Sequence, residues 1–163
     1  MAIALVNDPD IIFLDEPTTG LDPQARHNFW RLIHKIKQKN KTIVLTTHYM
    51  DEAYELCDKI IIMDHGEIIA EGTPRDLLSK HFNDVVIKLQ KSAELEPVLA
   101  SLEKDLILAS ISRNATYVEV QTSDVNRIVK QLLAADVSLN SMQIRERTLD
   151  DLFLELTGKE LRA

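Results

Sequence analysis

The sequence predicts an α/β unit followed by a smaller α+β unit. The first 82 residues contain three continuous apolar runs separated by helical patterns, as in a mainly parallel sheet with flanking helices. The rest of the chain shows short strand and helix patterns in the order β-α-β-β-α-β, which matches the ferredoxin-like arrangement. We therefore predict two domains, over residues 1–82 and 83–163.

The composition is that of a globular chain, without the marks of a nucleic-acid-binding or disulfide-stabilised one. The 163 residues are 45% hydrophobic, and the formal net charge of −7 opposes binding to a phosphate backbone. The single cysteine, Cys57, cannot form an internal disulfide, which favours a reducing compartment. No apolar run approaches the ~20 residues that a membrane-spanning helix needs. We therefore expect a cytoplasmic protein that does not bind nucleic acid.

Three apolar, β-branched runs predict the strands of the first domain: Ile11–Leu14, Thr42–Thr46 and Lys59–Met63. Because these runs do not alternate with polar residues, we expect strands that are covered on both faces. Helices are predicted to begin at Pro23, with Asp22 as N-cap, and at Met50. After the third run, His65-Gly66 predicts a tight turn, and Thr73 caps a last short helix.

The second domain is predicted to contain four short strands and two helices. The strands are Val85–Leu89, Leu106–Ile111, Thr116–Gln121 and Leu139–Ile144, and the helices are Leu95–Leu102 and Asp124–Ala135. A terminal helix over Leu149–Leu156 carries its leucines on one face.

Two adjacent carboxylates, Asp15 and Glu16, end the first predicted strand. Ligands of open α/β sheets collect at the carboxyl ends of strands, so this pair stands where chemistry usually occurs. Adjacent strand residues point in opposite directions. One carboxylate can therefore orient a hydrated Mg²⁺ while the other polarises a water for attack on phosphorus. The alternative is a strand end at which both acids are merely solvated.

The second predicted strand ends in Thr46-Thr47-His48, which places His48 at the same edge of the sheet as the acid pair. A histidine there can contact a terminal phosphate or orient the attacking water. The alternative is a histidine at the entry to a helix, without a chemical role.

Three separated motifs closely resemble the ATP-binding subunit of ATP-binding-cassette (ABC) transporters: Leu14–Pro23, Thr46–His48 and Asp64–Pro74. The resemblance covers residues 1–82 and implies part of a P-loop NTPase-type sheet that works with ATP and Mg²⁺. It implies that Asp15 acts on Mg²⁺, that Glu16 activates water, and that His48 contacts the γ-phosphate. All three would bind the nucleotide. The connection formed by Thr19, Gly20, Leu21 and Asp22 resembles the D-loop, which in that family meets the partner subunit.

The end of the chain, residues 147–158, looks like the accessory region of the ABC-2 export subfamily. The resemblance implies the ATP-hydrolysing subunit of a membrane exporter. Such a subunit pairs with transmembrane permease subunits and with a second nucleotide-binding subunit, here in a homodimer. Its expected location is peripheral, on the inner face of the cell membrane.

A nucleotide site also needs a phosphate cradle, written G-x-x-x-x-G-K-[ST]. The four glycines, Gly20, Gly66, Gly72 and Gly158, do not have that spacing. The family's glutamine loop and signature loop are missing too. Residues 1–9 resemble the segment that directly follows the signature loop, and they begin with the apolar helix end Met1–Val6. We therefore expect the first domain to be the C-terminal part of a nucleotide-binding domain. We also expect that this chain does not hydrolyse ATP by itself. We also expect an exposed apolar edge and self-association.

Two other functions are compatible with parts of the sequence. In one, residues 84–163 act as a regulatory or dimerisation module and the rest is a non-catalytic remnant. In the other, the ferredoxin-like domain binds RNA, but its predicted strands carry Tyr117 as their only aromatic residue and the chain is acidic. The resemblance to the transporter subunit favours the enzyme.

Overall fold

The computed structural model of the protein describes residues 7–103 and 110–158, which form two compact units. Among these residues, the first unit contains 7–77 and 153–158, and the second contains 78–103 and 110–152. The predicted helix end Met1–Val6 and most of the predicted strand Leu106–Ile111 lie outside the described residues. In the described part of the chain, no helix is long and apolar enough to cross a membrane.

The first unit is a mixture of strands and helices. In chain order its elements are β1 (Ile11–Asp15), α1 (Pro23–Lys37), β2 (Thr42–Thr46), α2 (Met50–Leu56), β3 (Ile60–Asp64), β4 (Glu67–Gly72) and the start of α3 (Pro74–His81). The three predicted strands are therefore confirmed to within one residue at each end, and α1, α2 and α3 begin where the sequence predicts. The cap at Thr73 is also present, since its Oγ1 accepts a hydrogen bond of 3.1 Å from the backbone N of Asp76.

Strands β1 and β2 form a parallel pair, in which Ile11 is in register with Thr42 and Asp15 with Thr46. Both strands therefore end at the same edge of the sheet. Helix α1 connects them and begins where the sequence predicts, because the Asp22 Oδ1 accepts a hydrogen bond of 2.8 Å from the backbone N of Ala25.

The third strand departs from the prediction of a mainly parallel sheet. In the described residues, β3 pairs antiparallel with β4 and β2 pairs with β1 alone. The two-stranded sheet buries Ile12 but leaves Phe13 76% exposed and Val44 45% exposed. The expected cover on both faces is therefore absent from this pair. The sequence predicts an exposed apolar edge, and the structure also exposes an apolar face of the β1–β2 pair. The expected self-association stays a prediction.

The turn between β3 and β4 is the tight turn that His65-Gly66 predicts. Both residues have positive φ, 50° at His65 and 80° at Gly66, as a two-residue type I′ turn requires. Glycine suits the second of these positions because it adopts positive φ without a steric cost.

The second unit is a four-stranded antiparallel sheet with helices. Its elements are β5 (Val85–Gln90), α4 (Leu95–Glu103), β6 (Ser110–Arg113), β7 (Tyr117–Thr122), α5 (Val125–Ala134) and β8 (Gln143–Glu146), followed by the start of α6 (Leu149–Thr157). The sheet has the order β6-β7-β5-β8, and all neighbours are antiparallel. Its core packs one face of the sheet against α4 and α5 through fully buried residues such as Ile87, Leu99 and Leu132.

The last strand of this sheet begins later than predicted. The sequence places it at Leu139–Ile144, whereas the structure has Gln143–Glu146. Leu139 and Met142 are partly buried against the core from a turn, which the hydrogen bond from Met142 N to Leu139 O closes at 3.0 Å. Leu139 and Met142 are therefore apolar because they pack on the core from a loop, and not because they lie in a strand.

Candidate functional site

The two adjacent carboxylates lie at the end of β1, beside the end of β2. Asp15 is in register with Thr46, whose hydroxyl donates a hydrogen bond to the Asp15 carboxylate. The backbone N of Glu16 donates to Thr46 twice, at 3.0 Å to the carbonyl oxygen and at 3.2 Å to the hydroxyl oxygen. Thr46 therefore joins both acids to the neighbouring strand.

Glu16 has a backbone conformation that side chains rarely adopt. Its φ is +41°, in the left-handed region, where a residue with a side chain costs roughly 1–2 kcal/mol. The following turn fixes this conformation, since Thr19 N donates to the Glu16 carbonyl oxygen at 3.2 Å and Thr19 Oγ1 donates to Glu16 Oε2 at 3.0 Å. Such strained positions cluster at functional sites.

His48 lies against the same carboxylate. Its Nδ1 is 3.2 Å from Glu16 Oε1, and both side chains are about half exposed. The predicted proximity of His48 and Glu16 is thus present. It follows from the parallel register, because the residues after Asp15 and after Thr46 leave the sheet at the same edge. The two Glu16 oxygens are therefore held from two sides, by Thr19 and by His48.

The segment Thr19–Asp22 leads from this site into α1. Gly20 has a φ of +79°, and Leu21 N donates to Thr18 O at 3.1 Å, so the segment is a tight connection. Thr19 contacts Glu16, while Asp22 caps α1. The expected role of this segment at a subunit contact stays a prediction.

Sequence reasoning overlooked the contribution of Thr46 and two residues beside His48. The ring of Tyr49 lies 4.2 Å from the imidazole of His48, and the guanidinium carbon of Arg26 lies 4.4 Å from the centre of the Tyr49 ring. Thr46 could have been identified, since a hydroxyl at a strand end beside a carboxylate is visible in the sequence. The contact between Arg26 and Tyr49 could not, because it joins two separate helices.

The donor atoms at this site suit a Mg²⁺ ion that keeps several of its waters. They do not suit a metal ion whose ligands all come from protein side chains. In the described residues, no group of three or more His, Cys, Asp and Glu side chains is arranged to hold a metal ion. Mg²⁺ prefers oxygen ligands, keeps several waters and takes one or two carboxylates together with phosphate oxygens. Asp15, beside the Thr46 hydroxyl, fits that requirement.

A nucleotide triphosphate fits this site less well than Mg²⁺ does, because the carboxylates of Asp15 and Glu16 repel its negative charge. Polyphosphate sites use a glycine-rich loop and a lysine to balance the charge of the ligand. The 163 residues contain no such motif. The sequence therefore has an acid pair at a strand end without a phosphate-binding motif to accompany it.

Comparison with known proteins shows that the chain is similar to ATP-binding proteins. It is 40% identical over 164 residues to the Nod factor export ATP-binding protein I of Cupriavidus metallidurans, covering 99% of this chain and 52% of that protein. It is 34% identical over 165 residues to the linearmycin resistance ATP-binding protein LnrL of Bacillus subtilis, covering 98% of this chain and 53% of that protein. The chain thus spans about half the length of the curated relatives it matches.

Two further comparisons give shorter matches. Residues 1–50 match the protein-family model described as "AAA domain, putative AbiEii toxin, Type IV TA system". The solved "Structure of ATP binding subunit of ABC transporter" is 35% identical, with a TM-score of 0.41 over 44% of this chain and 30% of that one. The matches to the curated relatives extend over nearly the whole sequence and therefore span the positions of Asp15, Glu16 and His48. By sequence, the chain is homologous over nearly its whole length to the ATP-binding proteins of Nod factor export and of linearmycin resistance.

Proposed function

We propose that this chain forms the water-activating side of the ATP site in the ATP-binding subunit of an ABC exporter. The observation that carries the proposal is the contact between Glu16 and His48 beside Asp15, at one edge of the β1–β2 pair. The assignment to an exporter is supported by the names of the relatives, which refer to Nod factor export and to linearmycin resistance.

Asp15 and Glu16 have different proposed roles. Asp15 is the residue that would hold Mg²⁺, which when bound neutralises phosphate charge. Glu16 orients the attacking water and accepts its proton, because its carboxylate is exposed to solvent yet fixed through both oxygens. Fixing the base in one place is effective because phosphoryl transfer depends mainly on positioning and electrostatic stabilisation.

His48 has two proposed roles at this edge. It restrains the Glu16 carboxylate through the 3.2 Å contact, and its remaining nitrogen, Nε2, can interact with the γ-phosphate. The Thr19–Asp22 segment then lies next to the reacting groups. We propose that it meets a second nucleotide-binding subunit, in a homodimer that couples to transmembrane permease subunits at the inner face of the cell membrane.

We also propose that the chain consists of two domains with different roles, residues 1–82 and residues 83–163. The first would be the C-terminal part of a P-loop NTPase-type nucleotide-binding domain. The second would be a ferredoxin-like accessory domain, a proposal supported by its antiparallel sheet order β6-β7-β5-β8 and by helices α4 and α5 in the two crossovers.

The 163 residues alone are proposed not to turn over ATP, because they lack the phosphate cradle. The test compares Mg²⁺-dependent ATP hydrolysis by this chain with hydrolysis by a fusion. The fusion joins the chain to the part of the Cupriavidus metallidurans relative that this chain does not match, about half of that protein, and that part alone is the control. We expect hydrolysis only from the fusion.

Two results would contradict this account. Hydrolysis by the chain alone at the rate of the fusion would show that no cradle is needed. A folded fusion that binds ATP without hydrolysing it would favour the non-catalytic alternative, a regulatory or dimerisation module.

A further inference from the structure

We propose that Arg26 and Tyr49 are positioning residues that hold the His48 imidazole against Glu16. The inference rests on the proposed function, because it deepens the account of the same site. It is carried by three consecutive contacts, from Arg26 to Tyr49, from Tyr49 to His48 and from His48 to Glu16.

The contact between the two rings restrains His48. The ring centroids of His48 and Tyr49 are 4.2 Å apart and the planes are inclined by 39°. Rotation of an imidazole about its second side-chain torsion is otherwise broad, since this torsion lacks sharp minima. The His48 side chain is 44% exposed, so few other packed groups surround it. The Tyr49 ring is therefore placed to limit how far the imidazole can turn from Glu16.

The Tyr49 ring is in turn held by Arg26. The guanidinium carbon lies 4.4 Å from the ring centre, a cation–π distance, and the Arg26 side chain is only 22% exposed. Asp51 fixes the guanidinium from the side of α2, with 3.3 Å between its Oδ2 and Arg26 Nη1. Tyr49 is the N-cap residue of α2 and makes no side-chain capping hydrogen bond, so its ring serves packing.

This arrangement ties His48 to the segment that follows Glu16. Arg26 lies in the first turns of α1, which begins directly after Thr19–Asp22. The imidazole is thus positioned from α1 as well as from its own loop. Glu16 and the start of α1 belong to one continuous stretch of chain. This continuity keeps the Glu16 carboxylate and the His48 imidazole in a fixed relative position.

The first test measures the position of His48 in the full chain, without nucleotide. The imidazole signals of His48, assigned with His48→Asn, are recorded by NMR for Tyr49→Leu, Tyr49→Phe and Arg26→Gln. We expect Tyr49→Leu and Arg26→Gln to shift these signals and to increase ring mobility, and Tyr49→Phe to preserve them. Tyr54→Leu on α2 and Arg31→Gln on α1 are matched controls, since both side chains are exposed and neither touches His48. Unchanged His48 signals in a folded Tyr49→Leu or Arg26→Gln chain would overturn the proposal.

The second test measures hydrolysis by the fusion described above. We expect Tyr49→Leu to lower kcat by about 10- to 100-fold, as misplacement of a catalytic group does, with KM for ATP changed less than twofold and Tyr49→Phe restoring the rate. If His48 moves as expected but Glu16→Gln leaves hydrolysis intact, the proposed function fails and the positioning contact stands. If Glu16→Gln abolishes hydrolysis while Tyr49→Leu changes neither kcat nor the His48 signals, the positioning inference fails alone.

Discussion

The hydroxyl of Thr46 donates a hydrogen bond to the carboxylate of Asp15, across the end of the parallel pair β1–β2. Because the same threonine also accepts from the backbone N of Glu16, the ends of both strands are joined at one point. His48 leaves this point two residues later and reaches the Glu16 carboxylate. The candidate site thus follows from strand register and does not require a long or adaptable loop.

The N-cap of α1 is expected to stabilise the first unit. Replacing Asp22 by Ala removes the acceptor of the Ala25 N–H and should lower the free energy of unfolding by about 0.5–2 kcal/mol. Asp22→Ser retains an acceptor oxygen and should lose much less. Trp30, the single tryptophan, lies in α1, so its fluorescence in a urea titration reports this unit. Equal losses for Ala and Ser would show that the capping oxygen is not the source of the stabilisation.

The second unit is expected to lose stability in acid through Asp151. Burial alone would raise the pKa of Asp151, but hydrogen bonds from Arg145 and from the backbone of Thr148 outweigh it and lower this pKa below its usual 3.8. A carboxyl whose pKa is depressed by folding stabilises the protein above the unfolded pKa, and this contribution disappears as the pH falls through the folded pKa.

The matching experiment compares Asp151→Asn with the wild type across pH. The variant loses the negative charge and one of the two acceptors that bind Arg145 at 2.6 and 3.0 Å, and we expect a deficit of about 1.5–3 kcal/mol at pH 7. The deficit should stay constant down to about pH 5 and shrink below about pH 4. Urea unfolding followed through the NMR signal of the buried Ile87 methyl group checks it. A deficit that does not change with pH would contradict the assignment.

The Cys57 thiol is expected to react slowly in the folded chain. Burial raises its pKa, and the carboxylates of Asp58 and Glu52 raise it further, against an opposite effect of Lys37. Less thiolate is then present at pH 8, and the thiolate is the reactive form. Alkylation by iodoacetamide should be slower for the folded chain than for the same chain in urea. Equal rates would indicate that the thiol is neither buried nor perturbed.

Much of the site was predictable because it depends on strand ends. Continuous apolar runs give the strands, and residues that follow parallel neighbours meet at one edge, so Glu16 and His48 were expected together. The start of α1 was likewise predictable, because Asp22-Pro23 contains its own cap and first residue.

The rest depends on packing that the sequence does not reveal. The stacking of Arg26 on Tyr49 joins α1 to the start of α2, and no local pattern indicates such a contact. The pairing of β3 with β4 follows from the tight His65-Gly66 turn, whereas apolarity alone suggested a third parallel strand. The late start of β8 arises because Leu139 and Met142 pack on the core from a turn.

The most direct test of the central claim is single-turnover hydrolysis of ATP by the fusion, with Glu16→Gln compared with Glu67→Gln. Both changes remove one exposed carboxylate from the first unit, since Glu16 directly follows β1 and Glu67 is the first residue of β4. We expect Glu16→Gln to slow hydrolysis at least about 100-fold, as loss of a general base does, while ATP binding and the Glu67→Gln rate stay within twofold of the wild type. A Glu16→Gln rate equal to that of Glu67→Gln would contradict the account.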